Sequence, residues 1–332
     1  MRGVVFMRAF VAGAIAGAVS LSAAQAATGC ARGALGTART IAVDARDFQR
    51  IGTTQYSQTL PLDDREVVLT FDDGPISPFT ESVLKTLADE CVKATFFLVG
   101  RQAQAHPELV RAIVAAGHSI GTHSQNHPLT FDQMPLERAR AEIDDGIASV
   151  TAALGEAPPP FFRIPGFLRS REVEQQLAAR NIVLWGTDAD ADDWYKTATP
   201  EDIVAKAIQR LEAKKRGILL LHDVQPATAL ALPALLKELK ARGWRVVHAV
   251  PPQPHRPAVA KHHDKHRKAP AARTAAATSW PRTASPRVQQ ARRADDARGR
   301  RAPRVRYLTK REWDEMNRRA RYADRRWDPY RR

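Results

Sequence analysis

Cysteine is almost absent from this 332-residue chain, with only Cys30 and Cys91 present. Neither lies in a C-x-x-C pair or near the histidine pairs, which argues against a thiolate metal site. In an oxidising compartment two cysteines permit one disulfide, which would pin the N-terminal segment to the body, or they stand as two unrelated thiols. A long hydrophobic run is also lacking. The apolar stretch Ala9 to Ala24 is rich in Gly and Ala and falls short of the about 20 residues that span a bilayer. Acidic residues are scarce toward the C-terminus: residues 251–332 hold 24 Lys/Arg against 8 Asp/Glu, while the preceding 250 hold 27 against 28. The net charge of +15 therefore belongs to the tail and says little about the body.

Arg2 and Arg8 open the chain with positive charge, the small apolar stretch follows, and Ala24-Gln25-Ala26 fits an A-x-A cleavage site. This is the pattern of a secretory signal peptide over residues 1–26, and it implies an exported protein, periplasmic or secreted. A lipoprotein anchored at Cys30 is a variant reading, although the usual leucine is missing before it. Residues 27–65 read as a polar, turn-rich lead-in. Residues 251–332, opening on Pro251-Pro-Gln-Pro-His-Arg-Pro257, lack periodicity and read as a largely disordered basic tail, with a short basic helix at Tyr307 to Trp327 where Thr309 and Glu312 have capping-box spacing. Such a tail is either merely solvated or attracted to an anionic cell-wall or membrane surface. Export leaves nucleic acid out as a partner.

Between residues 66 and 250 strands and helices alternate. Strand-type runs are Glu66 to Phe71, Ala94 to Gly100, Ser119 to His123, Phe161 to Ile164, Ile182 to Gly186, Gly217 to His222 and Trp244 to Val250. Helical spacing covers Pro78 to Glu90, Pro107 to Ala116, Pro135 to Leu154, Arg171 to Arg180, Pro200 to Lys215 and Leu230 to Arg242. This pattern predicts βα units around a parallel sheet. The strands are apolar throughout, as strands buried on both faces are. The fold class is α/β, and the length fits a small or incomplete β/α barrel better than a full eight-fold one; a doubly wound open sheet shares the same pattern.

Polar residues interrupt this pattern mainly at strand ends, the face that carries the site in β/α barrels. The first strand runs into Asp72-Asp73-Gly74-Pro75, where one carboxylate can bind a metal while its neighbour acts as a base, although Asp-Gly-Pro also makes a turn. His123 and His127, four apart, converge on one metal if the segment is helical or tightly turned. Asp188-Ala-Asp-Ala-Asp-Asp-Trp194 is an acidic loop without the spacing of an EF-hand. His222 ends the sixth strand, a position that a structural histidine also fills.

Five stretches together, Thr70-Phe-Asp-Asp-Gly74, His123-Ser-Gln-Asn-His127, Arg163-Ile-Pro165, Asp190-Ala-Asp-Asp-Trp194 and Leu220-Leu-His222, resemble the ordered motifs of the NodB-like polysaccharide deacetylases, carbohydrate esterase family four. The resemblance covers roughly residues 66–250 and implies a distorted β/α barrel of about seven strands. It implies one divalent metal ion, zinc first and cobalt, nickel or manganese as alternatives, held by Asp73, His123 and His127. It implies Asp72 as general base, Arg163 as the partner that orients Asp72, His222 as general acid, and Asp193 as the carboxylate that keeps His222 protonated. It also implies a backbone N–H at Gly166 for the oxyanion and an acetyl-methyl slot formed by Trp194 and Leu220. One departure stands out: after Arg-x-Pro the family often places an aromatic residue followed by Gly or Trp, whereas here Gly166 precedes Phe167. The resemblance implies a monomeric hydrolase that removes N-acetyl groups from N-acetylglucosamine units of peptidoglycan or a chitin-like polysaccharide. An O-acetyl-xylan-type esterase of the same fold and a catalytically silent wall-binding protein are the competing readings.

Overall fold

The structure is a computed structural model and describes residues 30–252. The expected signal peptide over residues 1–26 and the tail from residue 253, with its short helix, lie outside the described residues.

In chain order the elements are β1 (Thr37–Ala42), β2 (Arg50–Ile51), β3 (Glu66–Asp72), α1 (Phe79–Asp89), β4 (Thr95–Leu98), α2 (Gly100–Ala105), α3 (Pro107–Ala115), β5 (Ser119–Thr122), α4 (Leu136–Leu154), β6 (Phe161–Phe162), α5 (Arg171–Ala179), β7 (Val183–Trp185), β8 (Ala189–Asp190), α6 (Pro200–Lys214), β9 (Gly217–His222), α7 (Pro226–Ala241) and β10 (Arg245–Val250), with a short 3₁₀ turn at Pro165–Phe167. Every strand pairing is parallel. Strands β8, β9, β3, β4, β5, β6 and β7 follow one another around the sheet, and β2 adds to β7. Their C-terminal ends therefore share one face.

Several helix boundaries are written in the sequence. Pro107, Pro200 and Pro226 occupy first-turn positions, where the missing N–H costs nothing. Thr199 and Asp202 form a reciprocal capping box on α6, and Ser170 caps α5 by accepting from the Val173 N–H. Gly155 ends α4 at φ +89°, a conformation that favours glycine.

Alternation along β3 sorts its side chains into two layers. Val67, Leu69 and Phe71 belong to the large core between sheet and helices, together with Val83, Phe96, Leu232 and Leu236. Val68 faces the inner core with Phe97, Phe161, Trp185 and Ile218, and Thr70 and Asp72 share its parity. Strand β9 behaves alike: Leu219 and Leu221 pack toward the helices, and Ile218, Leu220 and His222 take the other face. The register sets Val68 beside Ile218, Thr70 beside Leu220 and Asp72 beside His222. An apolar floor thus rises into a polar rim at the strand ends.

Three features differ from the sequence expectation. The seventh strand of the ring is β8, inside the stretch read as an acidic loop, whereas the run read as Trp244 to Val250 forms β10 (Arg245–Val250), which pairs with the first two residues of β3 and with β1. The lead-in is not mere turns: β1 and β2 add to the sheet. Gly100 begins helix α2 rather than ending a strand. Cys30 and Cys91 are joined as a disulfide with Cα atoms 5.8 Å apart, so the tie between lead-in and body is the realised alternative.

Candidate active site

The polar residues at the strand ends converge. Asp72 is the last residue of β3, His123 follows β5, Arg163 follows β6, Asp193 lies just past β8, and His222 ends β9. Asp73, His123 and His127 form the one cluster of metal-ligand type among the described residues, their donor atoms all within 4.8 Å of one another. Asp73 Oδ1 lies 3.4 Å from His123 Nε2 and 3.2 Å from His127 Nε2. Tetrahedral bonds of about 2.0–2.1 Å place neighbouring donors about 3.3 Å apart, so these spacings already suit a cation.

The chemistry of the donors fits as well. His123 Nδ1 lies 2.6 Å from the Arg163 carbonyl oxygen. A carbonyl only accepts, so Nδ1 carries the proton and Nε2 presents its lone pair toward Asp73. Burial lowers both His123 and His127 to about 4, against the opposing pull of the Asp73 carboxylate, so both imidazoles are neutral at physiological pH. Asp73 and His127 adopt φ of +78° and +57°. Left-handed backbone at such residues costs roughly 1–3 kcal/mol each and persists where the surroundings enforce it. At His127 the enforcement is visible: its N–H donates to Ser124 Oγ at 3.0 Å.

Asp72 stands beside the triad, its Oδ2 3.7 Å from His123 Nε2. Its Oδ1 accepts from Arg163 Nη1 at 2.6 Å. The Arg163 guanidinium is fully buried, stacks over Phe97 at 4.3 Å, and donates also to Thr70 Oγ1 and to the Gly186 carbonyl. Burial raises Asp72 to about 6 even though Arg163 and His222 pull it down. Across the β3–β9 pairing lies His222, whose Nδ1 is 2.8 Å from Asp193 Oδ1. Asp193 Oδ2 accepts from the His222 backbone N–H at 2.7 Å and from Thr228 Oγ1 at 2.6 Å. Burial by itself would lower His222; the Asp193 carboxylate, with Asp72 and Asp73, outweighs it and raises the imidazolium to about 10. The two flanking groups are thus driven apart, one toward a base and one toward an acid.

Trp194 sets its ring edge-on to His222, centroids 5.9 Å apart, and Leu220 lies buried one inward-facing position below His222. Gly166 is exposed in the 3₁₀ turn after Arg163 at φ +58°, and a Cβ there would come within 2.9 Å of the Leu129 side chain, so the turn lies against the His127 loop. The acidic loop divides its labour. Asp193 reaches the site, whereas Asp188 is a buried tie that accepts from Thr53, Thr59 and the Ile218 N–H, and Asp190 and Asp192 pair with Arg210. Sequence reasoning missed the supporting hydroxyls of Thr70, Ser124 and Thr228, and gave no role to Asp223. Thr70 stood inside the first motif; no sequence signal marks Thr228, because its partner Asp193 is 35 residues away.

Comparison with known proteins follows the same lines. The model of the family described as polysaccharide deacetylase matches residues 59–184. Two peptidoglycan-N-acetylglucosamine deacetylases of Bacillus cereus are similar: one is 34% identical over 193 residues, covering 57% of this chain and 88% of the relative. The other is 33% identical over 187 residues, covering 53% of this chain and 66% of the relative. A solved peptidoglycan deacetylase of Bdellovibrio bacteriovorus superposes with a TM-score of 0.59 at 30% identity, covering 67% of this chain and 62% of that one. The chain thus spans somewhat under two thirds of that protein's length.

Proposed function

This chain belongs to the polysaccharide deacetylase family, and on that premise we propose that it is an exported, metal-dependent hydrolase that removes N-acetyl groups from N-acetylglucosamine units of peptidoglycan or a chitin-like polysaccharide, releasing acetate. A divalent cation held by Asp73, His123 and His127, zinc by the character of these donors, supplies Lewis acidity for both the attacking water and the acetyl carbonyl.

The remaining steps fall to this chain's own side chains. Asp72, with Oδ1 engaged by Arg163, accepts the water proton as the water oxygen bonds to the acetyl carbon. Arg163 keeps that carboxylate ionised in a buried setting that otherwise favours its protonated form. The Gly166 N–H receives the developing oxyanion. His222 keeps its Nδ1 proton on Asp193 and delivers the Nε2 proton to the amide nitrogen as the C–N bond breaks, so a free amine and acetate leave. Trp194 and Leu220 enclose the acetyl methyl. The basic tail gives the enzyme an electrostatic hold on an anionic wall or membrane surface.

The observation that carries this reading is the β3–β9 register, which sets Asp72 beside His222, next to the Asp73/His123/His127 cluster. The test is acetate release from peptidoglycan, chitin oligomers and acetyl-xylan, with wild type and Asp72→Asn, before and after chelation. We expect release from the N-acetylated polymers, its loss on chelation and return with zinc, and a decrease of about 100-fold or more in Asp72→Asn, the scale of a lost general base. Faster release from acetyl-xylan would favour the O-esterase, and polymer binding without release under any metal the silent wall-binding protein.

A further inference from the structure

Asp223 follows His222 at the end of β9 and has no part in the reaction above, yet it is fully buried. Its Oδ2 accepts from Thr80 Oγ1 at 2.6 Å, and Thr80 Oγ1 in turn accepts from the Ile76 N–H at 2.9 Å. Its carboxylate also lies flat against Gly74: a Cβ built there would sit 2.3 and 2.4 Å from the two oxygens. On the other side the Gly74 carbonyl accepts from the Val99 N–H at 3.1 Å, just past β4. The turn that follows the metal ligand is therefore clamped from β4 on one flank and from β9 and α1 on the other. Asp73 needs such a clamp, because its φ of +78° is one that an aspartate seldom adopts unaided.

We infer that Asp223 is a positioning residue: through Gly74 and the Thr80–Ile76 relay it fixes the turn that aims the Asp73 carboxylate at His123 and His127, and so sets the affinity of the site for its cation. The inference rests on the reading that Asp73 is a ligand. It also gives Gly74 a reason in packing, since any side chain there collides with Asp223.

The test is the zinc affinity of the metal-stripped full-length protein, measured by competition with a chromophoric chelator, together with the thermal midpoint of the metal-free form. Asp223→Ala should weaken zinc binding by about 10–100-fold, the usual cost of losing an outer partner of a ligand. Thr80→Val should shift affinity the same way by about threefold or more, and Asp223→Asn, which keeps shape and an acceptor for Thr80, should stay within about threefold of wild type. A role in stability alone would lower the midpoint and leave affinity unmoved in every variant, and that result overturns the inference. If Asp223→Ala does not fold, Thr80→Val decides: unchanged affinity overturns the inference. If wild type itself takes up no divalent cation, the ligand reading fails and this inference falls with it; if wild type binds zinc and the variants bind it equally well, only the inference falls.

Discussion

Replacing Asp193 with Asn removes one charge from a place where its effect can be worked out. In the intact protein Asp193 holds His222 by two contacts, to Nδ1 at 2.8 Å and to the backbone N–H at 2.7 Å, inside a buried setting that disfavours an imidazolium. The outcome of that contest is a histidine raised from 6.5 to about 10, roughly 5 kcal/mol of preference for the charged form at about 1.4 kcal/mol per pH unit. Asn occupies nearly the same volume, but it offers one acceptor oxygen where Asp193 uses two, for Nδ1 and for Thr228, and it carries no charge. Burial, the largest influence on His222, remains while Asp72 and Asp73 still oppose it, so His222 should fall from about 10 back toward its ordinary value. At pH 8.5 a histidine of pKa about 6.5 is roughly 1% protonated, and the supply of general acid falls about 100-fold. The assay is kcat/KM for acetate release from chitin oligomers between pH 5 and 11. Wild type should keep an alkaline limb near 10; Asp193→Asn should move it by about three pH units or more toward acid and lose about 100-fold at pH 8.5, with a smaller loss at pH 6. An alkaline limb that stays near 10 in the variant would refute the assignment of His222 as the acid that Asp193 tunes.

Three further expectations follow from other parts of the molecule. His118 Nδ1 accepts from the Ala94 N–H and His248 Nε2 from the Ser119 N–H, and burial lowers the two to about 3 and about 4. The unfolded chain takes up their protons near 6.5, so the stability they contribute is full above that pH and is lost as pH falls through their folded values. Urea midpoints between pH 7 and 4 should fall less steeply in His248→Gln, and an identical slope would count against this account. The Cys30–Cys91 disulfide spans 61 positions of sequence, and Cys30→Ser with Cys91→Ser should cost roughly 2–4 kcal/mol, read from urea midpoints; an unchanged midpoint would show that the tie contributes nothing. Deleting residues 253–332 should leave kcat on soluble oligomers unchanged while weakening retention on an anionic wall polymer at low salt; equal retention would end the electrostatic role given to the tail.

The legible parts of this fold were those whose signal is local. Strand β3 is seven residues, all buried, and announces itself as an apolar run that ends in two carboxylates; the histidines four apart and the apolar run before His222 are equally visible. Hidden were the elements defined by distant partners. Strands β2 and β8 are two residues each, too short for any periodicity, and exist because they pair with β7 and β9. The lead-in read as turns because β1 is mostly exposed and its partner β10 lies some 200 residues on. Within the acidic loop, four aspartates look alike in sequence. The family resemblance singles out Asp193, which the fold delivers to His222, but only the fold gives Asp188 its tie to the lead-in and pairs Asp190 and Asp192 with Arg210. Asp223 was given no role for the same reason, since Thr80 and Gly74 reach it only in three dimensions.

The central claim is that one cation is gripped by three side chains from two strand ends, with Asp72 free beside it as a base. A crystal of the zinc-loaded protein, measured at the zinc absorption edge, tests this most directly. The account predicts one anomalous peak at about 2.0–2.2 Å from an Asp73 oxygen and from Nε2 of both His123 and His127, retained in Asp72→Asn. A peak at another place, or one that vanishes when only Asp72 is changed, would contradict it.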